Sequence, residues 1–290
     1  GIRKRLLEYD DVMNIQREAI YKKRNHALYG DRLAGDLSYT FHSAVEQLVA
    51  RHKQRGDYEA FIYEVLSTLG FEPSLDETRF REAPESEIAQ EIGNQFFDWY
   101  HHKAEQIREV LLPLIRNVKL QEGNKYARVA IPVSDGTTEP MPIGVEMDEA
   151  ISSGGRSIMR DIEKTIALMK LDQNWKEHLR DMDELKESVQ AASFEQKDPL
   201  VIYKLEAYKL FEQLVYKMNQ EITSYLAKCR LMFSVDQQVS EARAQRTDYS
   251  KTTTSRSEEN MRRAAEEAGG AARQAIQTVR NAAPKVGRND

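Results

Sequence analysis

Two long stretches of helical periodicity, separated by the short run Ser193-Phe194-Glu195-Gln196-Lys197-Asp198-Pro199, restrict this chain to few shapes. The first stretch places Leu171, Trp175, His178, Met182, Leu185 and Val189 at alternating steps of four and three. Such steps keep returning to one side of an α-helix. The second places Leu200, Ala207, Phe211, Leu214, Met218, Ile222 and Tyr225 on one side. Asp198 suits an N-cap, because its carboxylate can accept from the free N–H groups of a first helical turn. Pro199 suits the next position, where a missing N–H costs nothing. The expectation is a long antiparallel helical hairpin whose short tip exposes one aromatic, Phe194.

Composition agrees with long helices. Only 14 glycines and 8 prolines occur in 290 residues, and charged residues reach 31% against 40% apolar, a high share for a compact enzyme. A formal charge of -5, with basic clusters interleaved with acids, gives no general pull toward nucleic acid. Cys229 is the single cysteine, which excludes an internal disulfide and a cysteine-based zinc site. No apolar run approaches the roughly 18 residues of a membrane span. The opening Gly1-Ile2-Arg3-Lys4-Arg5 is already in helical pattern and unlike a signal peptide, which reads as a piece of something longer.

Along the chain, residues 1–29 read as one helix with Ile2, Leu6, Tyr9, Met13, Ile20 and Ala27 on a stripe. Gln16 and Lys23 interrupt it, which suggests packing on a larger body rather than a free coiled coil. Gly30-Asp31 and Gly35-Asp36 mark its exit. Residues 37–115 read as a small helical cluster. Phe41, Val45, Leu48 and Val49 form one face, and Tyr58, Phe61, Ile62, Val65, Leu66 and Leu69 form another, stopped by Gly70. Pro84 precedes a third helix with Ile88, Ile92, Phe96, Trp99 and Tyr100, running to Leu111, where Pro113 should end or kink it. Alternation over about 126–147, broken by Ser134-Asp135-Gly136-Thr137, predicts a β-hairpin, which Pro132, Pro140 and Pro142 confine to edge positions. Ser152-Ser153-Gly154-Gly155 reads as a hinge or loop before the long helical hairpin. Residues 233–290, rich in Ser, Thr, Arg, Glu and Ala, cannot bury enough surface to offset chain entropy and are expected to be disordered.

Motifs for chemistry are scarce. No G-x-x-x-x-G-K-[ST] run occurs. Gly144-Val145-Glu146-Met147-Asp148-Glu149-Ala150 resembles a metal-binding acidic box only superficially and is better read as a strand end entering a helix. Adjacent His101 and His102 diverge by about 100° on a helix and cannot share a metal. His26, His42, His52 and His178 lack zinc-protease spacing. Asp10-Asp11 reads as a polar face for the same geometric reason as the histidine pair. Trp175 and His178 lie on the helical stripe and read as packing residues. No metal site is expected.

Three segments carry a family resemblance: KRLLEYDDVMNIQR at 4–17, LDQNWKEHLRDMDEL at 171–185 and FEQKDP at 194–199. Together, in this order and spacing, they resemble the SecA family of bacterial preprotein translocase motors. The likeness is close over the first 30 residues and about 156–230, and elsewhere lies mainly in placement. It implies a mainly α fold: the later part of a long scaffold helix at 1–29, a helical wing at 30–155 with a hairpin insertion, a two-helix finger at 156–232 and a linker tail at 233–290. It implies that the finger couples motion of ATP-driven motor domains to unfolded preprotein moving through the SecYEG channel, at the cytoplasmic face of the plasma membrane.

By the same resemblance, Phe194 occupies the tip position that contacts the polypeptide, often tyrosine in the family. Trp175 and His178 lie in a segment linked to packing of the finger and to ATPase regulation, and Asp198 and Pro199 cap the tip. The family's nucleotide-binding folds and its Cys/His zinc domain have no counterpart here. The chain alone is therefore expected not to be an enzyme and to bind neither ATP nor zinc. Its partners would be SecYEG, preproteins and the remaining motor domains, with no nucleic acid. A rival from another class is a free-standing helical scaffold or adaptor that binds partner helices. A third reading, an ATP-using or hydrolytic enzyme, lacks any motif.

Overall fold

The computed structural model describes residues 2–30, 32–123, 125–191 and 198–232. Phe194 and the whole of 233–290 lie outside the described residues.

α1 spans Ile2–Tyr29. Its inward stripe includes Tyr9, Met13, Gln16, Ile20, Lys23 and Ala27, with Gln16, Ile20 and Ala27 buried. The two polar positions that read as interruptions therefore continue the stripe. Lys23 sets its amine 5.6 Å from the centre of the Tyr39 ring. Burial lowers its pKa, and Asp36 partly opposes that.

Gly30, at φ +79°, turns the chain into α2, Leu33–Arg55. Gly35 and Asp36 sit inside the first turn of α2 rather than in the exit, and Asp36 pairs with His26 at 2.8 Å. α3, Tyr58–Leu69, is capped by Asp57 and ends at Gly70. Phe61, Val65 and Leu69 are buried, while Leu66 turns outward. His52 and Arg51 of α2 both reach Glu64 of α3, at 2.5 and 2.7 Å. A short helix, α4 (Glu77–Glu82), precedes α5, Glu85–Glu122.

α5 does not end at Pro113. A proline in a helix interior costs about 3 kcal/mol. Leu111 and Ile115 flank it and are each buried. Burying one such side chain contributes roughly 1.5–3 kcal/mol. The two together outweigh the proline, so the helix continues.

β1 (Arg128–Ser134) and β2 (Met141–Glu146) form the hairpin, and β3 (Arg230–Leu231) adds to the other side of β1. β1 is thus the central strand, and Pro132 is not at an edge as its residue type suggested. Pro132 lies opposite Pro142 in the β1–β2 ladder. Met147 N–H donates to the Ala127 carbonyl, so alternate pairs from 127↔147 carry the bonds and the proline pair falls between them. Toward β3, the Pro132 carbonyl accepts from Met232 N–H at 2.9 Å. The missing donor falls where β3 has already ended. Val129, Ile131, Val133, Ile143 and Val145 face the core.

α6 (Met147–Ser152) leads through Gly154 and Gly155 into α7, Arg156–Ala191. α8 spans Pro199–Lys228 and packs along α7, while α1 lies against both. One hydrophobic core runs through α2, α3, α5, the sheet and the lower halves of α7 and α8. The upper halves have a separate small cluster of Met182, Val189, Tyr203 and Ala207, closed by Tyr9, Val12 and Met13 of α1. Among the described residues, no helix is long and apolar enough to cross a membrane.

Candidate functional site

The long helical pair is the feature most able to act on something else, and most of its seam follows the spacing, with Leu185, Leu200 and Phe211 only half-buried and Tyr203 added. Leu171, Trp175, His178, Met182 and Val189 of α7 are buried, as are Tyr203, Ala207, Leu214, Met218, Ile222 and Tyr225 of α8. At the start of α8, the Asp198 carboxylate accepts from the Leu200 N–H at 3.0 Å, with Pro199 in the first turn. The cap fixes where the second arm begins. The aromatic at the tip, Phe194, lies outside the described residues.

Trp175 and His178 come together one turn apart. Their ring centres are 5.5 Å apart, and Phe211 of α8 approaches His178 edge-on at 6.0 Å. Burial lowers the pKa of His178, with Asp181 pulling it back. The ring is therefore neutral at pH 7. Its Nε2 lies 2.8 Å from Oε1 of Gln16, whose Nε2 donates to the Ala207 carbonyl at 3.0 Å. Tyr9 of α1 packs on Tyr203, with ring centres 4.6 Å apart. Outside the seam, Arg24 bridges to Asp172 at 3.0 Å and Lys217 to Glu177 at 2.6 Å. Exposed pairs of this kind contribute little, about 0–1 kcal/mol each.

The foot of the pair holds a polar cluster that sequence reasoning missed. Tyr100 of α5 donates its hydroxyl to Glu163 of α7 at 2.9 Å. Burial pushes the Glu163 carboxyl up to about 7, and the Tyr100 hydrogen bond only partly offsets this. Lys103 of α5 donates to the carbonyls of Leu226 and Ala227, closing the C-terminal end of α8. Cys229 sits beside it, its thiol pKa raised by burial. Periodicity hinted at this only through Glu163, which interrupts an otherwise apolar arc of Ile158, Ile162 and Ile166.

The remaining candidates stay apart. Asp10 and Asp11 are exposed, and Asp10 lies 4.0 Å from Lys186. His101 and His102 are exposed, and His102 bonds only its own helix, at the Asp98 carbonyl. Among the described residues, no group of three or more His, Cys, Asp or Glu is placed to hold a metal. Glu146 ends β2 and Met147 starts α6, so the acidic run there is a strand-to-helix junction.

Comparison with known proteins agrees with this architecture. Residues 1–230 match the family model of the SecA wing and scaffold domain. The chain is similar to the protein translocase subunit SecA of Christiangramia forsetii, 37% identical over 296 residues, covering 100% of this chain and 26% of that protein. It is similar to the SecA subunit of Porphyromonas gingivalis strain W83, 38% identical over 306 residues, covering 100% of this chain and 27% of that protein. The SecA subunit of Bacteroides thetaiotaomicron is 40% identical over 228 residues, 79% of this chain and 20% of that protein. The chain thus spans about a quarter of the length of these relatives.

Proposed function

The chain belongs to the SecA wing and scaffold family, with a role in Sec protein export, and on that premise we propose that it is the mechanical output of a translocase motor. In this reading α1 is the scaffold, residues 30–155 are the wing, and α7 with α8 form a finger. The finger relays ATP-driven motion of motor domains to an unfolded preprotein in the SecYEG channel. The work takes place at the cytoplasmic face of the membrane, with peripheral attachment through the channel. Nucleotide is handled by the motor domains.

The observation that carries the reading is the packed seam of α7 and α8 with α1 laid along it. Two helices joined by a continuous buried seam resist bending better than one, which is what a lever requires. An apolar tip suits a varied substrate, because hydrophobic contact is non-directional and reads no sequence. Trp175 and His178 act through packing that holds the arms together, and Asp198 and Pro199 set the start of the second arm. Phe194 is assigned the contact with the moving chain.

The test is Phe194→Gly in a complete translocase that carries this segment. Preprotein transport is expected to fall well below wild type while ATP binding is retained. Normal transport, or loss of both together, overturns the assignment.

A further inference from the structure

Gln16 lies where α1, α7 and α8 meet and is 6% exposed. Its amide Nε2 faces the Ala207 carbonyl of α8. That carbonyl can only accept, so the amide has one orientation, with Oε1 turned to α7. There it meets Nε2 of His178, which must carry the proton, because Oε1 also can only accept. One side chain of α1 is thus bonded to both arms of the finger at once. Nε2 of histidine is protonated in the neutral ring fixed here and in the charged ring, so titration of His178 leaves this bond in place.

The surrounding seam is apolar and attracts without direction. Its contacts can re-form after a slip of one helical turn, about 5.4 Å, whereas the same slip breaks both hydrogen bonds and strands a buried amide. Resting on the lever reading above, we propose that Gln16 is a positioning residue: it locks the axial register of the scaffold helix to both finger helices, so that a displacement of α1 moves the two arms as one body.

The test compares Gln16→Met, which keeps shape and removes both bonds, with Met13→Ala, a packing loss in the same seam. In this chain, nitrogen NMR of the His178 ring should report protonation at Nε2 in wild type and in Met13→Ala, and a tautomer mixture in Gln16→Met. An unchanged tautomer in Gln16→Met overturns the proposal. In a complete translocase, preprotein moved per ATP hydrolysed should fall in Gln16→Met by at least about three- to tenfold, the equilibrium factor of one of the two bonds lost. Met13→Ala should stay near wild type. A wild-type ratio in Gln16→Met, or an equal fall in both variants, overturns the register lock. If Gln16→Met fails to fold, Gln16→Glu takes its place: it keeps the acceptor for His178, loses the donor to Ala207, and should fall in the same direction. Phe194→Gly separates the two ideas. Normal transport in Phe194→Gly removes the lever reading and this proposal with it. Lost transport there, with a normal Gln16→Met, removes only the register lock.

Discussion

Glu163 holds its proton to about pH 7 in the folded chain, against 4.5 for an ordinary glutamate. The cause is burial first, with the Tyr100 hydroxyl working the other way. Between those values the folded chain binds more protons than the unfolded one. Stability from this residue therefore falls as pH rises through that window, and stays lower above it. The loss is on the order of 3 kcal/mol. Glu163→Gln cannot ionise and still offers Tyr100 an acceptor. It is expected to be more stable than wild type at pH 8 by an amount of that order, with the gap nearly closing at pH 4, as read by urea unfolding at both values. His178 has the opposite sign: burial lowers its pKa, so its contribution is lost as pH falls below 6.5. Both proteins share it, so it cancels in the comparison. Neither Glu163 nor Gln16 was legible as a linked group, because a period reports which side of a helix is inward and not which polar atom waits across the seam. Trp175 lies buried beside His178, the next residue of the stripe that the period picks out.

Among the elements, α5 and the α6–α7 turn carry the sharpest tests. Pro113 is exposed, so its ring contributes no buried contact, and the Glu109 carbonyl has no N–H to accept at position 113. Pro113→Ala restores that donor and is expected to stabilise the chain by about 1–3 kcal/mol, seen as a higher melting temperature. A lower one shows that the proline shapes α5. In the turn, Gly155 sits at φ +88°, and a Cβ there would lie 2.5 Å from Cγ of Arg108. Gly154 sits at φ +64° facing open space. Gly154→Ala should cost about 1 kcal/mol for the left-handed backbone alone, and Gly155→Ala clearly more, when both are measured by chemical denaturation. The existence of the long helices and of the hairpin was readable from periods alone. The continuation of α5, the short α4 and the two-residue β3 were not. In each case tertiary burial or strand pairing decided an outcome that local propensity leaves open.

Taken as a whole, the described molecule has two unequal reserves of buried surface. The large core ties α2, α3, α5 and the sheet to the lower halves of α7 and α8, and the upper halves rely on four buried side chains and the cover of α1. Amides of α8 near Met218–Leu226 are therefore expected to exchange only on global unfolding, while those near Tyr203–Ala207 open at lower free energy. Native-state hydrogen exchange read along α8 checks this, and uniform protection contradicts it. The stretch 152–155 reads as a hinge or loop in sequence; the folded chain makes it a turn with core packing continuous across it. The hairpin has a consequence for solution behaviour. On the outer margin of β2, Pro142 offers no donor, and the Gly144 carbonyl is already taken by the Arg128 guanidinium at 3.0 Å. A neighbouring strand finds that ladder interrupted at two successive outward positions, which blunts this margin as a site for edge-to-edge pairing.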